Sequence, residues 1–127
     1  MTTRRVIDVV SPVEIVEEMQ RLNRLVDEQR REMEHWAVEY AEAENEYRKA
    51  KANAYLSNTG TVPEREAHVD KVCERERKRA HIAEGMRKQS IEAHRGLLVQ
   101  LQVLQTVSNL VRSEMDLTRT GADQPPF

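Results

Sequence analysis

The residues best suited to metal chemistry are Glu32 and His35, which have the Glu-x-x-His spacing of di-iron helical bundles. In such bundles several of these motifs project into one shared core. The second half of this sequence has no matching motif, and the heptad pattern described below places Met33 and Trp36 on the buried side, with His35 just outside it. We therefore expect no metal site and no cofactor.

The other side chains capable of catalysis are isolated from one another. His68, His81 and His94 are spaced thirteen residues apart, and none has a second histidine or a cysteine three or four residues away. A catalytic histidine needs a partner and a concave pocket, and the sequence has no glycine-rich phosphate loop or nucleophile elbow. Cys73 is the only cysteine, so it can form neither an internal disulfide nor a thiolate cluster. We expect a packed thiol at Cys73 and a protein that is not an enzyme.

A dense run of basic residues makes nucleic-acid binding the main alternative function. Residues 64–96 carry nine Lys or Arg against seven Asp or Glu, whereas residues 11–57 carry seven against eleven. The candidate phosphate contacts are Arg75, Lys78, Arg79, Arg87 and Lys88. Glu74, Glu76 and Glu84 are interleaved with them, a pattern typical of helices whose charged faces pair with each other. Contact with DNA or RNA therefore stays a hypothesis.

The element that must position these residues begins with a long heptad repeat over residues 11–57. Its d positions are Ile15, Leu22, Gln29, Trp36, Ala43, Ala50 and Ser57, and its a positions are Met19, Val26, Met33, Tyr40, Tyr47 and Ala54. Eleven of these thirteen residues are apolar or aromatic, the exceptions being Gln29 and Ser57. Such a repeat predicts a left-handed supercoil, and its apolar seam requires a partner helix.

Two capping boxes predict where the helices begin. Ser11-Pro12-Val13-Glu14 precedes the first helix and Thr61-Val62-Pro63-Glu64 the second. Between them, Asn58 or Gly60 can adopt the left-handed conformation that ends a helix. We therefore predict helices at 11–57 and 62–118 joined by a turn at 58–61, which makes them antiparallel neighbours in an all-α helical hairpin. Residues 1–10 form an N-terminal arm in this prediction, and residues 120–127 form a disordered tail.

The seam of the second helix is predicted to be weakest in its middle. The polar residues at its seam positions are Glu76, Arg87, Ser90 and His94. Folding the hairpin about Gly60 places Tyr47 near Cys73 and Trp36 near Glu84. The apolar parts of the two helices then meet on the side of the hairpin away from its turn.

The apolar residues in those parts exceed what two helices need. The predicted core of a larger bundle consists of Ile15, Met19, Leu22, Val26, Leu97, Leu101, Leu104, Val111 and Met115. Further apolar residues widen the face beyond an a/d stripe, namely Val13, Val16, Leu25, Leu98, Val99, Val103, Val107, Leu110 and Leu117. Because one chain supplies only two long helices, we predict a homodimer that completes a four-helix bundle.

The composition agrees with an extended helical assembly more than with a compact globule. Of the 127 residues, 33% are charged and only 4% are aromatic. No apolar run reaches the roughly 18 residues of a membrane span, and the N-terminus lacks the apolar core of a signal peptide. We therefore expect a cytoplasmic protein that does not bind membranes.

The sequence around the predicted turn, AKANAYL at residues 50–56 and GTVPEREA at 60–67, resembles small uncharacterised coiled-coil proteins of actinobacterial phages and prophages. LQVLQT at 101–106 and RSEM at 112–115 are similar to segments of these proteins too. The resemblance as a whole covers residues 40–119. It implies a phage-encoded protein in the host-cell cytoplasm. It also implies an accessory role in DNA metabolism, but it identifies no functional residues.

Three functional hypotheses follow from the sequence. The favoured one is a non-enzymatic coiled-coil interaction or adaptor protein that binds a protein partner. The alternative is a nucleic-acid-associated accessory factor in phage DNA replication or recombination. The third, a metal-dependent helical-bundle enzyme, predicts bound metal that elemental analysis would detect.

Overall fold

The computed structural model describes the backbone of residues 11–123 and the side chains of residues 11–119. In this range it has three helices, α1 (Pro12–Ser57), α2 (Val62–Val72) and α3 (Glu74–Asp123), and no strand. The predicted all-α helical hairpin is therefore confirmed. The predicted N-terminal arm, residues 1–10, lies outside the described residues.

The first helix, α1, begins where the first capping box predicts. Ser11 accepts a hydrogen bond from the Glu14 N–H at its Oγ and another from the Ile15 N–H at its carbonyl, both at 3.1 Å. Pro12 occupies the first helical position, where a missing N–H leaves no bond unmade. Because no glycine or proline occurs at residues 13–57, the sequence offers nothing to interrupt the helix over its 46 residues.

The turn between α1 and α2 corrects one prediction. No described residue has a positive φ, so neither Asn58 nor Gly60 adopts the left-handed conformation. Instead the Asn58 Oδ1 accepts a hydrogen bond from the Gly60 N–H at 2.8 Å, and this side-chain contact shapes the turn. The second capping box then opens α2, where the Glu64 carboxylate accepts a hydrogen bond from the Thr61 N–H at 3.3 Å.

The predicted second helix, residues 62–118, is divided at Cys73. The backbone of Cys73, with φ −98° and ψ 14°, lies between the helical and extended regions. Hydrogen bonds of helical spacing still cross this position: the Cys73 N–H donates to the Val69 carbonyl at 2.8 Å, and the Arg77 N–H donates to the Cys73 carbonyl at 2.9 Å. The interruption is therefore one residue wide.

The end of α3 also differs from the prediction. The helix continues past residue 118 to Asp123, so residues 120–123 of the predicted disordered tail are helical. The only breaker in this stretch is Gly121, which costs a helix about 1 kcal/mol, and the first proline comes later, at Pro125. The rest of the predicted tail, residues 124–127, lies outside the described residues.

The chain is organised in two compact units, each containing a segment of the first helix and a segment from the second half of the chain. Unit 1 comprises Met1–Glu28 and Arg95–Phe127, of which residues 11–28 and 95–123 are described. Unit 2 is the continuous segment Gln29–His94, which contains the turn.

Small side chains form the core of unit 2. One buried cluster, against which Tyr40 and Tyr47 pack, consists of Ala43, Ala80 and Ala83. The other, against which Tyr47, Ala50 and Tyr55 pack, consists of Ala54, Val69 and Cys73. The contact of Tyr47 with the Cys73 cluster agrees with the predicted register. Alanine at the interface lets two helices approach closely, and the tyrosine rings cover the sides of the contact.

Polar seam residues of unit 2 meet each other. The Gln29 Nε2 donates to the Ser90 carbonyl at 3.3 Å, and the Ser90 Oγ donates to the Arg87 carbonyl at 2.8 Å. The Arg87 guanidinium lies 5.1 Å from the centre of the Tyr40 ring. Gln29 and Ser90 are therefore accommodated by hydrogen bonds and Arg87 by a cation–π contact, while the buried Arg87 Nε has no hydrogen-bond partner among the described residues.

The core of unit 1 is small. Only Ile15 and Leu22 are buried among its described residues, with 5% and 2% of their surface exposed. The other predicted bundle-core residues are half-buried, namely Met19, Val26, Leu97, Leu101, Leu104 and Val111. Met115 is exposed. Within residues 11–123, no helical segment combines the length and hydropathy of a membrane span.

Candidate protein-interaction surfaces

An exposed apolar stripe runs along α3 in unit 1. Val103, Leu110 and Leu117 are seven residues apart, and Val99 precedes the first of them by four. Residues spaced by four and seven return to the same side of a helix, so these four side chains share one face. Between 53% and 73% of each side chain is exposed. We call this set, which has the spacing of a coiled-coil seam, the α3 stripe.

The α3 stripe is distinct from the half-buried seam of unit 1. Val103 and Leu110 each precede a half-buried residue, Leu104 and Val111, by one position. One residue corresponds to a rotation of about 100° around the helix. This part of α3 therefore carries two apolar faces, of which one is half-buried within the chain and the other faces solvent.

The surroundings of the α3 stripe are uncharged around Val99 and Val103, whereas Leu117 lies among charged residues. Residues 96–111 contain no Asp, Glu, Lys or Arg, and the polar residues among them are glutamine, asparagine, serine and threonine. On α1, Val13 and Val16 add exposed apolar surface to unit 1. An apolar surface that lacks charged borders is typical of a face that another protein covers.

A second surface is a groove in unit 2 between α1 and α3. It has a volume of about 540 Å³ and is lined by Trp36, Glu39, Glu74, Arg75, Lys78, Arg79, Ile82 and Ala83. Ala83 is buried in the alanine cluster, whereas Ile82 is 63% exposed. We call it the Trp36 groove. Because Ile82 lies outside the heptad seam, packing within the hairpin leaves it exposed.

The predicted phosphate contacts lie in unit 2, and most of them bind acidic partners there. The Lys78 Nζ lies 3.0 Å from a Glu74 carboxylate oxygen, and the Lys88 Nζ lies 3.0 Å from a Glu84 oxygen. The hydrogen bonds from these lysines lower the pKa of the Glu74 and Glu84 carboxyls. At neutral pH these pairs leave little net charge to attract phosphate.

The arginines among the predicted phosphate contacts are engaged differently. Arg79 forms ion pairs with Glu46 and, at 3.7 Å, with Glu39, and its hydrogen bond to Glu46 raises the pKa of its guanidinium. Arg87 covers Tyr40. Arg75 is the one member of the set that makes neither an ion pair nor an aromatic contact with the described residues. The structure therefore does not bring these five residues together as a free cationic patch.

The residues considered for metal binding interact with their own helix. The Glu32 carboxylate accepts a hydrogen bond from the Trp36 Nε1 at 3.1 Å, and the His35 ring meets the Trp36 ring edge-on at 5.0 Å between centroids. No group of three or more His, Cys, Asp or Glu among the described residues could hold a metal ion.

Two features of these surfaces escaped the sequence analysis. The members of the α3 stripe were recognised only as surplus apolar residues, although the spacing of Val103, Leu110 and Leu117 is a signal that could have separated them. Ile82 was not singled out at all. An isoleucine outside the seam within a charged stretch was its only signal.

No protein-family model matches the chain, and no curated protein or solved structure is significantly similar to it. The resemblance to phage coiled-coil proteins therefore stays a prediction. What supports a function is the chemistry of the α3 stripe and of the Trp36 groove.

Proposed function

We propose that this protein is a non-enzymatic coiled-coil interaction protein that forms a homodimer through the α3 stripe. The observation that carries the proposal is the exposed face of Val99, Val103, Leu110 and Leu117, which has heptad spacing and begins in the charge-free segment 96–111. A second copy of the chain supplies an identical stripe. The two stripes can pack against each other as a coiled-coil seam.

Burial of the two stripes provides a large part of the driving force for association. Complete burial of a Val or Leu side chain contributes about 1.5–3 kcal/mol, so eight side chains that start more than half exposed contribute on the order of 10 kcal/mol. Association costs about 4–15 kcal/mol in lost freedom of motion. Burial of the stripes therefore offsets most of the free-energy cost of association. Burial of the remaining exposed apolar surface of unit 1, including Val13 and Val16, favours the dimer further.

The lack of charge over residues 96–111, which hold three of the four stripe residues, favours a second copy as the occupant. When two identical surfaces meet about a twofold axis, charged borders place like charges close together unless they are arranged to alternate. Residues 96–111 have no charges and avoid this repulsion. Each chain contributes the two helical segments of its unit 1, so a dimer has four. Four helices in a bundle can cover one another's wide apolar faces.

The mass in solution tests the proposal directly. We expect light scattering after size-exclusion chromatography to give twice the chain mass of 14.8 kDa at micromolar concentration. Leu110→Glu places a charge in the stripe and should raise the dissociation constant at least tenfold. Leu56→Glu is the matched control, because Leu56 is an exposed leucine of unit 2, outside the stripe. A monomer for the unchanged chain, with helical circular dichroism, contradicts the proposal.

A dimer joined through unit 1 carries two copies of unit 2, which suits an adaptor that binds a protein partner. We place this activity in the cytoplasm, the host cytoplasm if the chain is phage-encoded. The support for this location is Cys73, a free and buried thiol, because unpaired cysteines are usual in reducing compartments.

The alternative, an accessory factor that binds nucleic acid in phage replication or recombination, has less support. Among its candidate contacts Lys78, Arg79 and Lys88 already pair with carboxylates of the same chain. Such surface pairs are weak, about 0–1 kcal/mol each, so phosphate could compete for them. Retention on DNA or RNA that falls steeply with salt would favour this alternative, and no retention at about 50 mM salt would exclude it.

A further inference from the structure

We infer that the N-terminal arm, residues 1–10, docks on the end of α3 in the same chain and covers the seam surface around Met115. We call residues 112–119, which contain this surface, the α3 extension. The inference goes beyond the proposed dimer, because it concerns a contact within one chain and a different face of α3.

The seam of α3 continues further than its burial does. Its residues in unit 1 follow one another in alternating steps of four and three, namely Leu97, Leu101, Leu104, Ser108, Val111, Met115 and Thr118. Every one of them up to Val111 is half-buried, whereas all residues of the α3 extension are exposed. Met115 exposes 55% of its surface. The heptad repeat therefore calls for a partner at Met115 that residues 11–119 do not supply.

The first helix is too short at its beginning to cover the α3 extension. Ile15 is its first buried residue, and only three helical residues, less than one turn, precede Ile15 in α1. Because the two helices of the hairpin are antiparallel, the start of α1 and the end of α3 belong to the same end of the hairpin. From Val111 to Asp123, α3 continues for twelve residues, or about 18 Å.

The N-terminal arm has the position, length and composition to cover this surface. It joins α1 at Ser11, at the end of the hairpin from which the α3 extension projects. Ten extended residues reach up to roughly 33 Å, more than the length of α3 beyond Val111. The apolar residues that the arm can place on Met115 are Val6, Ile7, Val9 and Val10.

Two arguments favour the arm of the same chain over a second copy as the occupant. A segment tethered at Ser11 acts at a high effective concentration, about millimolar for short connections, so a small apolar contact is enough to hold it. In addition, Met115 precedes Leu117 of the α3 stripe by two residues, which is about 200° around the helix. A second copy that packs on the α3 stripe therefore leaves Met115 uncovered.

The experiment measures how fast a maleimide modifies the thiol of Met115→Cys in the full chain. The rate is compared with that in an arm variant, which carries Val6→Ser, Ile7→Ser, Val9→Ser and Val10→Ser as well. We expect the arm variant to react at least threefold faster, because the apolar arm protects the thiol. Cys73 is buried and common to both chains, so its contribution cancels.

Leu98→Cys is the matched control. Leu98 is also an exposed leucine of α3 in unit 1, but it lies seventeen residues before Met115. Its thiol should react at the same rate with the unchanged arm and with the substituted arm. Circular dichroism verifies that each chain remains helical.

Two outcomes would overturn the inference. Equal rates for Met115→Cys with the two arms would show that the arm does not cover this surface. An equally large acceleration caused by Leu110→Glu, with the arm unchanged, would show that a second copy covers it instead. The dimer is tested separately by the mass in solution, so a monomer whose Met115→Cys thiol is protected by the arm would reject the dimer and support this inference.

Discussion

At the scale of single residues, Cys73 shows how burial sets the chemistry of this chain. Its side chain is 2% exposed and packs with Ala54 and Val69. Burial raises the pKa of the Cys73 thiol, and the nearby charges of Glu76 and Asp70 raise it further. The thiol therefore stays protonated at neutral pH, where a thiolate would be needed for nucleophilic or redox chemistry.

This shift predicts a pH dependence of stability. Because the folded chain holds the thiol proton more tightly than the unfolded chain, the contribution of Cys73 is fully present below the ordinary thiol pKa of about 8.5. It is lost as the pH rises through the higher pKa of the folded state. We expect the difference in unfolding free energy between the unchanged chain and Cys73→Ala to be constant from about pH 6 to 8 and to shrink above about pH 8.5.

Urea unfolding at several pH values measures this difference, and every other titrating group is common to the two chains. A difference that stays constant or grows up to about pH 9.5 would contradict the assigned direction of the shift.

Glu76 is a seam residue whose buried carboxylate oxygen lowers stability. Its Oε2 is buried and has no hydrogen-bond partner among the described residues. A buried polar atom without a partner costs about 1–3 kcal/mol. We therefore expect Glu76→Leu to raise the free energy of unfolding by a similar amount, measured by urea unfolding. Glu66→Leu is the control, since Glu66 is exposed and should change stability by less than about 0.5 kcal/mol.

At the scale of helices, two glycines of unit 2 have opposite roles. A Cβ at Gly60 would overlap the Glu64 carboxylate and lie 2.9 Å from the Asn58 Oδ1. The carboxylate would have to leave the Thr61 N–H, which it caps at 3.3 Å. A Cβ at Gly85, in the interior of α3, would meet no other atom within 4 Å. Gly60 leaves room for the Glu64 cap, whereas Gly85 only weakens a helix.

The two alanine variants should therefore differ in sign. We expect Gly60→Ala to destabilise the chain by about 0.5–2 kcal/mol, the usual cost of a lost cap. Gly85→Ala should stabilise it by about 0.5–1 kcal/mol, because glycine in a helix interior is unfavourable by that amount. Thermal or urea unfolding of both variants measures the two changes in stability. Destabilisation by both would mean that Gly85 has a packing role in the assembled protein.

At the scale of the whole molecule, dimer formation should contribute to stability. If the stripes of two chains are buried in the folded state alone, dilution favours unfolding by mass action. We expect the Tm to rise with protein concentration between about 1 and 100 µM, and we expect Leu110→Glu to reduce that dependence. Differential scanning calorimetry measures both. A Tm independent of concentration, together with a monomeric mass, would contradict the homodimer.

The sequence by itself determined the bounds of α1, the start of α2 and the pairing of the helices, but not the break at Cys73 or the end of α3. Caps at Ser11 and Thr61, and the absence of glycine and proline from residues 13–57, act through neighbouring backbone groups, so they can be recognised without the fold. The heptad period likewise predicts a seam, and folding the hairpin about Gly60 predicts the contact of Tyr47 with the Cys73 cluster. Local hydrogen bonds and helical periodicity depend on short spacings along the chain, which is why these predictions could be made.

Only the tertiary structure decided which side chains remain available to a partner. The ion pairs of Arg79 with Glu39 and Glu46, the exposure of the α3 stripe and the opening beside Ile82 depend on how one helix is rotated against another. Rotation is set by packing between residues far apart in the chain, and a difference of one residue turns a side chain by about 100°. For that reason the apolar and basic residues can be read from the sequence, whereas the fold determines which of them are buried or paired and which can bind.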